Sequence, residues 1–355
     1  RSAMKINTVK HWGLALCVSA ALASLNGCSQ PANQQTSDST NVTSVAEPTY
    51  LSAADASLFD LQQVRVTDGP FAHAMHTNVK YLLAMEPDRL LAPYLRESGL
   101  EPKTDSYGNW ENSGLDGHIG GHYVSALSLA YAATGDQALL GRLEYMLDEL
   151  KRAQDAGNGY LGGIPNSAAM WADIKAGTIK AGSFSLNDRW VPLYNIDKIF
   201  HGLRDAYEIA HQEQAKTMLL ALGEWMLDIT DGLTDEQIQQ MLVSEHGGLN
   251  EVFADMAAIS GDERYLTLAR KFTHQTILQP LTESQDKLTG LHANTQIPKI
   301  IGALRVAELD DDQVWADAAK FFWNTVSQHR SVSIGGNSVR EHFHDDDNFT
   351  AMVED

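Results

Sequence analysis

Cysteine is nearly missing from this chain, which contains only Cys17 and Cys28 among its 355 residues. Cys17 lies inside an apolar N-terminal stretch, so a chain processed after that stretch would keep no cysteine other than Cys28. This scarcity excludes a disulfide scaffold, a thiolate zinc site and a cysteine nucleophile within the 355 residues.

Positive charge is also scarce, because 26 Lys and Arg residues stand against 46 Asp and Glu, for a formal net charge of -20. A nucleic-acid partner is therefore not expected, since such partners bind basic surfaces. The sequence also lacks GxSxG, Walker, HExxH and GxGxxG motifs, so it gives no indication of the catalytic or nucleotide-binding sites that these motifs mark.

The first 28 residues indicate an export signal. Lys5 and Lys10 precede the apolar run WGLALCVSAALASL, which is too short to span a bilayer comfortably. The following residues, Leu25–Cys28, resemble the lipobox of bacterial lipoproteins, in which the cysteine becomes the lipidated N-terminus. We therefore expect an exported protein held in the membrane by lipid on Cys28, on the periplasmic or cell-surface side. An ordinary secretory signal with an incidental cysteine is the alternative.

Residues 29–50 are expected to form a flexible tether. They are rich in Ser, Thr, Gln, Asn and Pro, a composition that cannot bury a core. The folded part of the chain is therefore expected within residues 51–355.

A unit of two helices recurs four times after about Ala72. Each unit has a polar turn, an apolar helix rich in small residues, an acidic turn and an amphipathic helix with a charged face. Gly135 and Gly261 suit left-handed C-caps, with the following aspartate starting the next helix. This pattern predicts an all-α fold of inner and outer helices, an α/α toroid, with an α-solenoid as the alternative. The first halves of the units are Leu115–Asp136, Trp190–Ala210, Glu245–Asp262 and His292–Asp312.

The polar turns should open on one end of the barrel, because each of them precedes an inner helix. Imidazoles, amides and helix N-termini gathered there suit sugar hydroxyls. A single histidine at a helix start is more often a cap, but four such turns in register predict a ligand site. The polar candidates are His118, His122, Asn195, Asp197, His246, Asn250, His292 and Asn294. Aromatic residues that could stack on sugars, although each alone is more typical of a core, are Tyr107, Trp110, Trp171, Trp190 and Tyr194.

The combined motifs resemble the β-L-arabinofuranosidase-like glycoside hydrolases of family 127 and its sister family 146. The resemblance covers about residues 58–355 and rests on LDGHIGGHYVSALSLAYAATGD, RWVPLYNIDKIFHGLRDAY, EHGGLNEVFADMAAISGD, LHANTQIPKIIGA and SIGGNSVREHF. It implies an (α/α)6 barrel followed by β-sandwich domains. It also implies retaining exo-enzymes that remove β-L-arabinofuranosyl units from plant-type glycans with a zinc-bound cysteine nucleophile and a glutamate acid/base. We therefore expect residues 51–355 to form the N-terminal part of such a barrel.

The resemblance assigns a role to Glu341, which falls where the family places its acid/base glutamate. The acid form protonates the leaving oxygen and the carboxylate then activates water. Burial beside Asp345–Asp347 would favour the proton-bearing form; a solvated loop glutamate is the alternative from the residues alone. His246 and His292 align with histidines that contact the sugar, whereas Asp197 stands where relatives usually carry histidine. The predicted substrate-binding set is completed by Asn195, Trp190 and Asn294.

The zinc ligands and the nucleophilic cysteine would follow residue 355, according to the same resemblance. We therefore expect zinc in the full-length protein, no metal ligand within this chain, a barrel that is incomplete, and no activity from these residues alone.

Two other functions fit parts of the pattern. Unsaturated glucuronyl hydrolases, polysaccharide lyases and sugar epimerases also use α/α barrels, and a fold does not determine a function. A non-catalytic glycan-binding lipoprotein is the second alternative.

Overall fold

Helices make up most of the chain in the computed structural model, which describes residues 58–354. The helices are α1 (Gly69–Ala84), α2 (Pro87–Glu97), α3 (His118–Thr134), α4 (Gln137–Ala156), α5 (Ser167–Lys175), α6 (Pro192–Glu208), α7 (Glu213–Thr230), α8 (Asp235–Met241), α9 (Leu249–Ser260), α10 (Glu263–Lys271), α11 (Gln275–Thr282), α12 (Ala293–Asp310), α13 (Gln313–Asn324) and α14 (Thr350–Glu354). Between α5 and α6 lies a small antiparallel sheet of β1 (Ala181–Gly182), β2 (Ser185–Leu186) and β3 (Arg189–Trp190).

Inner and outer helices alternate as the repeats predict. The inner helices α3, α6, α9 and α12 contact one another in sequence, and each packs against the outer helix that follows it, α4, α7, α10 or α13. Gly135 and Gly261 adopt left-handed C-caps, and Asp136 and Asp262 cap the next helices by accepting backbone N–H bonds. The predicted all-α fold and its four helical pairs are therefore confirmed.

The inner helices approach each other closely because glycine lines their contact. A Cβ atom on Gly121 of α3 would collide with the backbone of Lys198 on α6, and one on Gly202 of α6 would meet the carbonyl oxygen of Gly121 at 2.8 Å. The residue numbers of the contacting positions increase in the same direction along both helices, so α3 and α6 run parallel. Their N-termini consequently lie at the same end of the fold.

One large apolar core lies between inner and outer helices, and a second, smaller core forms around α11, α12 and α13. Phe200 and Phe253 meet edge to face in the first core, with ring centroids 5.3 Å apart. Phe343 is buried in the second core beside Phe322. Because Phe343 follows Glu341 closely, this burial anchors the loop that carries the predicted acid/base.

Arg330 holds the start of the same loop. It is only 1% exposed, and its guanidinium donates to Asp286, to Thr289 and to the carbonyl oxygen of His344. A buried arginine with several acceptors is far less costly than an unpaired one. The contact therefore ties residues 330–344 to the connection before α12.

The predicted export signal, lipobox and tether, residues 1–28 and 29–50, lie outside the described residues, as does Cys28. Within the described part, no helix is both long enough and apolar enough to cross a membrane.

Gly121→Ala should destabilise the protein, because the added methyl group would push against the backbone of α6. Overpacking of this kind costs about 1–3 kcal/mol. The matched control is Gly141→Ala, which adds a methyl group in open space on α4 and should stabilise the helix by about 0.5–1 kcal/mol. Chemical denaturation of both variants measures the difference; equal effects would contradict the close α3–α6 contact.

Candidate active site

The first turns of α3, α6, α9 and α12 form one polar region. Asn195 of α6 donates to the carbonyl oxygens of Leu115 and Asp116, which precede α3. Asp197 of α6 accepts from the backbone N–H of Gly248 at 3.1 Å, at the start of α9. Asn250 of α9 donates in turn to the carbonyl oxygen of Lys299 on α12 at 2.9 Å. The four turns thus lie side by side, as their position before the inner helices predicts.

Glu341 meets His292 at the N-terminus of α12. The Oε2 atom of Glu341 lies 3.4 Å from Nε2 of His292. The backbone supports this contact, because Ala293 N–H donates to the carbonyl oxygen of Glu341 at 2.8 Å and Phe343 N–H donates to Leu291. The Glu341 side chain is 80% exposed, so the expectation that it is buried beside Asp345–Asp347 is wrong.

His292 is held on several sides. Its Nδ1 lies 2.6 Å from the hydroxyl oxygen of Thr295. The rings of Phe184 and His342 approach it with centroid distances of 5.5 and 5.3 Å. The His292 side chain is 13% exposed, which leaves its Nε2 edge directed toward Glu341 at the protein surface.

Glu245 is a second carboxyl group in this region. It is 7% exposed, and its backbone N–H donates to the carbonyl oxygen of Ser183 at 2.9 Å. Burial raises the pKa of Glu245, while His292, the nearby Thr295 hydroxyl and the ammonium groups of Lys198 and Lys299 act in the opposite direction.

His246 lies deeper than the site prediction suggests. It is fully buried, with Nδ1 2.9 Å from the carbonyl oxygen of Ser244, and its Nε2 has no hydrogen-bond partner among residues 58–354. Burial, aided by the nearby Lys299, holds the pKa of His246 well below its usual range. The ring is therefore neutral and keeps one polar atom for a ligand or water.

Lys299 and His274 lie next to His246. The Nζ atom of Lys299 lies 3.1 Å from Nδ1 of His274. Burial lowers the pKa of Lys299 to about 8, although Glu245 opposes the shift. Burial and the Lys299 charge lower the pKa of His274 to about 4. A neutral imidazole can accept a hydrogen bond from the lysine, which accounts for the contact.

Asp197 is buried and serves the protein itself. Its carboxylate accepts from Gly248 N–H, from Lys198 Nζ at 2.8 Å and from His201 Nδ1 at 3.0 Å. Burial alone would raise the pKa of Asp197, but the charges of His201 and Lys198 outweigh burial and hold it far below the usual value. Gly247 is required beside it, because φ is +59° and a Cβ there would collide with the carboxylate. These contacts give Asp197 a structural role, and its contact with the substrate stays a prediction.

Asn195 is likewise a structural residue, in contrast to the predicted substrate contact. It is 1% exposed, and its Nδ2 donates to two carbonyl oxygens at 3.0 and 2.9 Å. Both of its amide hydrogens are used within the protein, so none is left to donate to a sugar. An amide at a helix start binds a neighbouring backbone and a sugar with the same groups, which explains why the sequence pattern did not distinguish them.

Trp190 and Asn294 remain predictions. Trp190 ends β3, is 39% exposed and lies beside Gly114. Asn294 is exposed in the first turn of α12, two residues from His292. Both positions leave the side chain accessible from solvent, as a sugar contact requires.

Some of the other aromatic and histidine candidates are buried in the core, and others lie at the exposed edge of the polar region. Trp171 is buried against Trp225 and Tyr160, whereas Trp110 is 55% exposed near His118. His118 contacts Glu111, a buried acid that also accepts the first N–H groups of α3.

His122 of α3 and Lys198 of α6 also lie at this rim. Burial and the Lys198 charge lower the pKa of His122 to about 4. Lys198 lies 4.0 Å above the Tyr194 ring, in the range of a cation–π contact.

Sequence reasoning missed Glu245, Thr295 and Lys198. Glu245 stands directly before His246 in the EHGG turn, and Thr295 lies one turn after His292, so the repeat register was a signal for both. Their burial and their mutual contacts arise only from the packing of α6, α9 and α12.

The residues described by the structure contain no group of three or more His, Cys, Asp or Glu side chains placed to hold a metal ion. Zinc in the full-length protein, with ligands after residue 355, stays a prediction.

Comparison with known proteins shows the family of this chain. The model of the β-L-arabinofuranosidase GH127 catalytic domain matches residues 63–355. No curated protein matches the sequence significantly.

Two solved structures share its fold. Ara127N, a GH127 β-L-arabinofuranosidase from Geobacillus stearothermophilus T6, has 14% identity and a TM-score of 0.57 over 79% of this chain and 48% of that chain. The GH127 β-arabinofuranosidase BT3674 has 14% identity and a TM-score of 0.55 over 81% and 46%. This chain thus spans about half the length of either structure. The likeness supports the helical toroid over the solenoid.

The ion pair of Asp197 and His201 predicts a pH-dependent stability. Burial lowers the pKa of His201, but the Asp197 charge outweighs burial and raises it to about 10. An unfolded histidine releases its proton near pH 6.5, so above that pH folded His201 binds more protons than unfolded His201, and its contribution to stability falls as pH rises. Between pH 6.5 and 8 this contribution should fall by an amount on the order of 1 kcal/mol.

Thermal or denaturant unfolding across this window tests the prediction. The stability advantage of the parent over His201→Asn should shrink by this amount from pH 6.5 to 8, while His73→Asn, at an exposed position on α1, should keep the pH dependence of the parent. The comparison with the parent is needed because His122, His246, His274 and Lys299, whose folded pKa values are lowered, contribute in the opposite direction in every variant. Equal pH dependence in the parent and in His201→Asn would disprove the charged state of His201.

Proposed function

Because this chain belongs to the β-L-arabinofuranosidases of glycoside hydrolase family 127, we propose that the protein hydrolyses terminal β-L-arabinofuranosyl bonds of plant-type glycans with retention. The observation that carries the proposal is the contact of Glu341 with His292 at the mouth formed by the inner helices. The substrate class is taken from the family and from the names of the two structural relatives.

Glu341 is proposed as the general acid and base. Its exposed carboxyl group lies where a sugar entering the polar region would place its glycosidic oxygen beside His292. In the first step the carboxylic acid protonates the leaving oxygen, and in the second the carboxylate removes a proton from water. The loop is anchored by Phe343 and Arg330, so the carboxyl group is positioned before substrate arrives.

The proposed sugar site lies between His292 and the turn before α9. His292 offers its Nε2 edge, and buried His246 offers an Nε2 atom that no group in the described part of the chain hydrogen-bonds. Asn294 and Trp190, both accessible, are proposed to contact the substrate at its edge. Retaining hydrolysis also needs a nucleophile; we propose the zinc-bound cysteine thiolate of the family, on residues outside this chain.

Glu341→Gln should lower kcat/KM of the complete protein by about 10²–10⁴-fold on β-L-arabinofuranosides with sugar or alkyl leaving groups, since these need protonation. The loss should be smaller for the first step with a dinitrophenyl leaving group, which departs without an acid. Release of L-arabinose and the burst of dinitrophenol measure the two cases.

Asp346→Asn provides the matched control, because it removes one exposed carboxylate from the same loop and should leave turnover unchanged. Undiminished turnover in Glu341→Gln would remove Glu341 from the mechanism. Activity of the parent on uronic-acid glycans alone would favour a lyase or glucuronyl hydrolase, and binding without turnover would favour a glycan-binding lipoprotein.

We also propose export and membrane anchoring through lipid on Cys28. The support is the charged and apolar leader followed by Leu25–Cys28, and the polar residues 29–50 would then serve as the tether between membrane and enzyme.

Cys28→Ser should move the protein from the membrane fraction to the soluble exported fraction of bacterial cells, because the acyl acceptor is lost. Cys17→Ser is the matched control, since it changes the other cysteine within the apolar stretch and should stay membrane-bound. Fractionation with immunodetection measures both; membrane association that survives in Cys28→Ser would rule out this anchor.

A further inference from the structure

The turn between β1 and β2, Ser183 and Phe184, connects the starts of two inner helices. The Phe184 ring meets the His292 ring edge to face at the start of α12, with ring centroids 5.5 Å apart. The carbonyl oxygen of Ser183 accepts from the backbone N–H of Glu245 at 2.9 Å, in the turn before α9. Phe184 therefore lies at the border of the gap in which the sugar site is proposed.

The small sheet is buried on one face and exposed on the other. Leu186 of β2 is fully buried and belongs to the large apolar core. Ser185 and Trp190 are cross-strand partners, so their side chains share the opposite face, which is exposed. Trp190 is 39% exposed and Phe184 in the adjoining turn is 46% exposed. Two large aromatic rings are thus presented to solvent beside the polar region.

The backbone holds Phe184 in place although its ring is exposed. Val191, directly after β3, has φ 36° and ψ 56°, which is rare for a β-branched residue. Its N–H donates to the carbonyl oxygen of Phe184 at 3.3 Å. The Asn187 side chain braces the next turn by accepting from Lys180 N–H and donating to the carbonyl oxygen of Thr178. Strained backbone of this kind persists only where the surroundings hold it, and it is concentrated at ligand sites.

An exposed aromatic ring at the edge of a polar pocket suits one part of a glycan. A pyranose carries C–H groups on its faces and hydroxyl groups at its edges. Stacking such a face on the Phe184 ring removes apolar surface of both from water and sets the C–H groups against the negative face of the ring. Exposed apolar surface that borders a pocket is typical of ligand binding.

We propose that Phe184 forms a leaving-group subsite, in which its ring stacks on the first sugar of the glycan from which the arabinofuranosyl unit is removed. This inference rests on the proposed function of Glu341, because the leaving oxygen must lie next to that carboxyl group. His292 contacts both Glu341 and Phe184, so a sugar attached to the leaving oxygen lies within reach of the Phe184 ring. The ring thereby favours a pyranose leaving group over a small alcohol.

Phe184→Ala in the complete protein should change the preference between two substrates. One is a β-L-arabinofuranosyl disaccharide with a pyranose leaving sugar, and the other is methyl β-L-arabinofuranoside. The ratio of their kcat/KM values, disaccharide over methyl glycoside, should fall about tenfold. The methyl glycoside has no leaving sugar, so a disturbance of His292 would lower both values and leave the ratio unchanged.

Two further variants serve as controls. Phe184→Tyr keeps the aromatic ring and should keep the ratio of the parent. Phe71→Ala removes a phenyl ring that is 78% exposed on α1 and should also keep the ratio. A ratio that falls equally in Phe71→Ala would mean that loss of any exposed ring is sufficient, which would overturn the subsite.

Binding tests the subsite without turnover. In the Glu341→Gln background, calorimetric titration with the disaccharide should show about tenfold weaker binding after Phe184→Ala, and the change for the methyl glycoside should be smaller. An unchanged ratio and unchanged disaccharide binding in Phe184→Ala would overturn the inference. Equal losses for both substrates would also overturn it, because the ring would then act on the arabinofuranosyl unit or on His292. A parent that cleaves neither substrate would disprove the proposed function, and the titration would still decide whether Phe184 binds the disaccharide.

Discussion

The close, parallel contact of neighbouring inner helices is the constraint on which the rest of the structure depends. Glycine at positions 121 and 202 lets the backbones of α3 and α6 touch, and hydrogen bonds of Asp197 and Asn250 continue the same register to α9 and α12. Parallel helices present their N-termini at one end, so turns far apart in sequence become neighbours. If the inner helices lay further apart, the same residues would cap only their own helices and would not form a shared polar region.

Paired charges run along the inner helices below this mouth. Asp197 and His201 lead to Glu251, Arg204 and Asp255, with contacts of 2.7–3.6 Å. Partly buried charges persist in proteins when they are paired and hydrogen-bonded. Asp197 is part of this network, so its charge supports the turn before α9.

The fold could be predicted from sequence because its signals are local. Repeated turns, glycine C-caps and aspartate N-caps determine where each helix begins and ends, and amphipathic periodicity distinguishes inner from outer helices. The same repeat register also predicted part of the site, because it places His292 and the turn that contains His246 at the end of the fold where the inner helices begin. The hydrogen bonds of Asn195 and the burial of Glu245 could not be predicted, because both depend on which backbone groups the fold brings next to them.

The sequence by itself determined the helical repeat, the family and the position of Glu341 in a loop after the fourth repeat. Tertiary structure alone decided which polar side chains bind one another and which stay accessible. Asn195 and Asp197 lie inside the protein, where buried donors and acceptors must find partners, whereas the Glu341 side chain is exposed on a loop that Phe343 and Arg330 anchor. Hydrogen-bond partners are set by three-dimensional distance, which local sequence patterns do not contain.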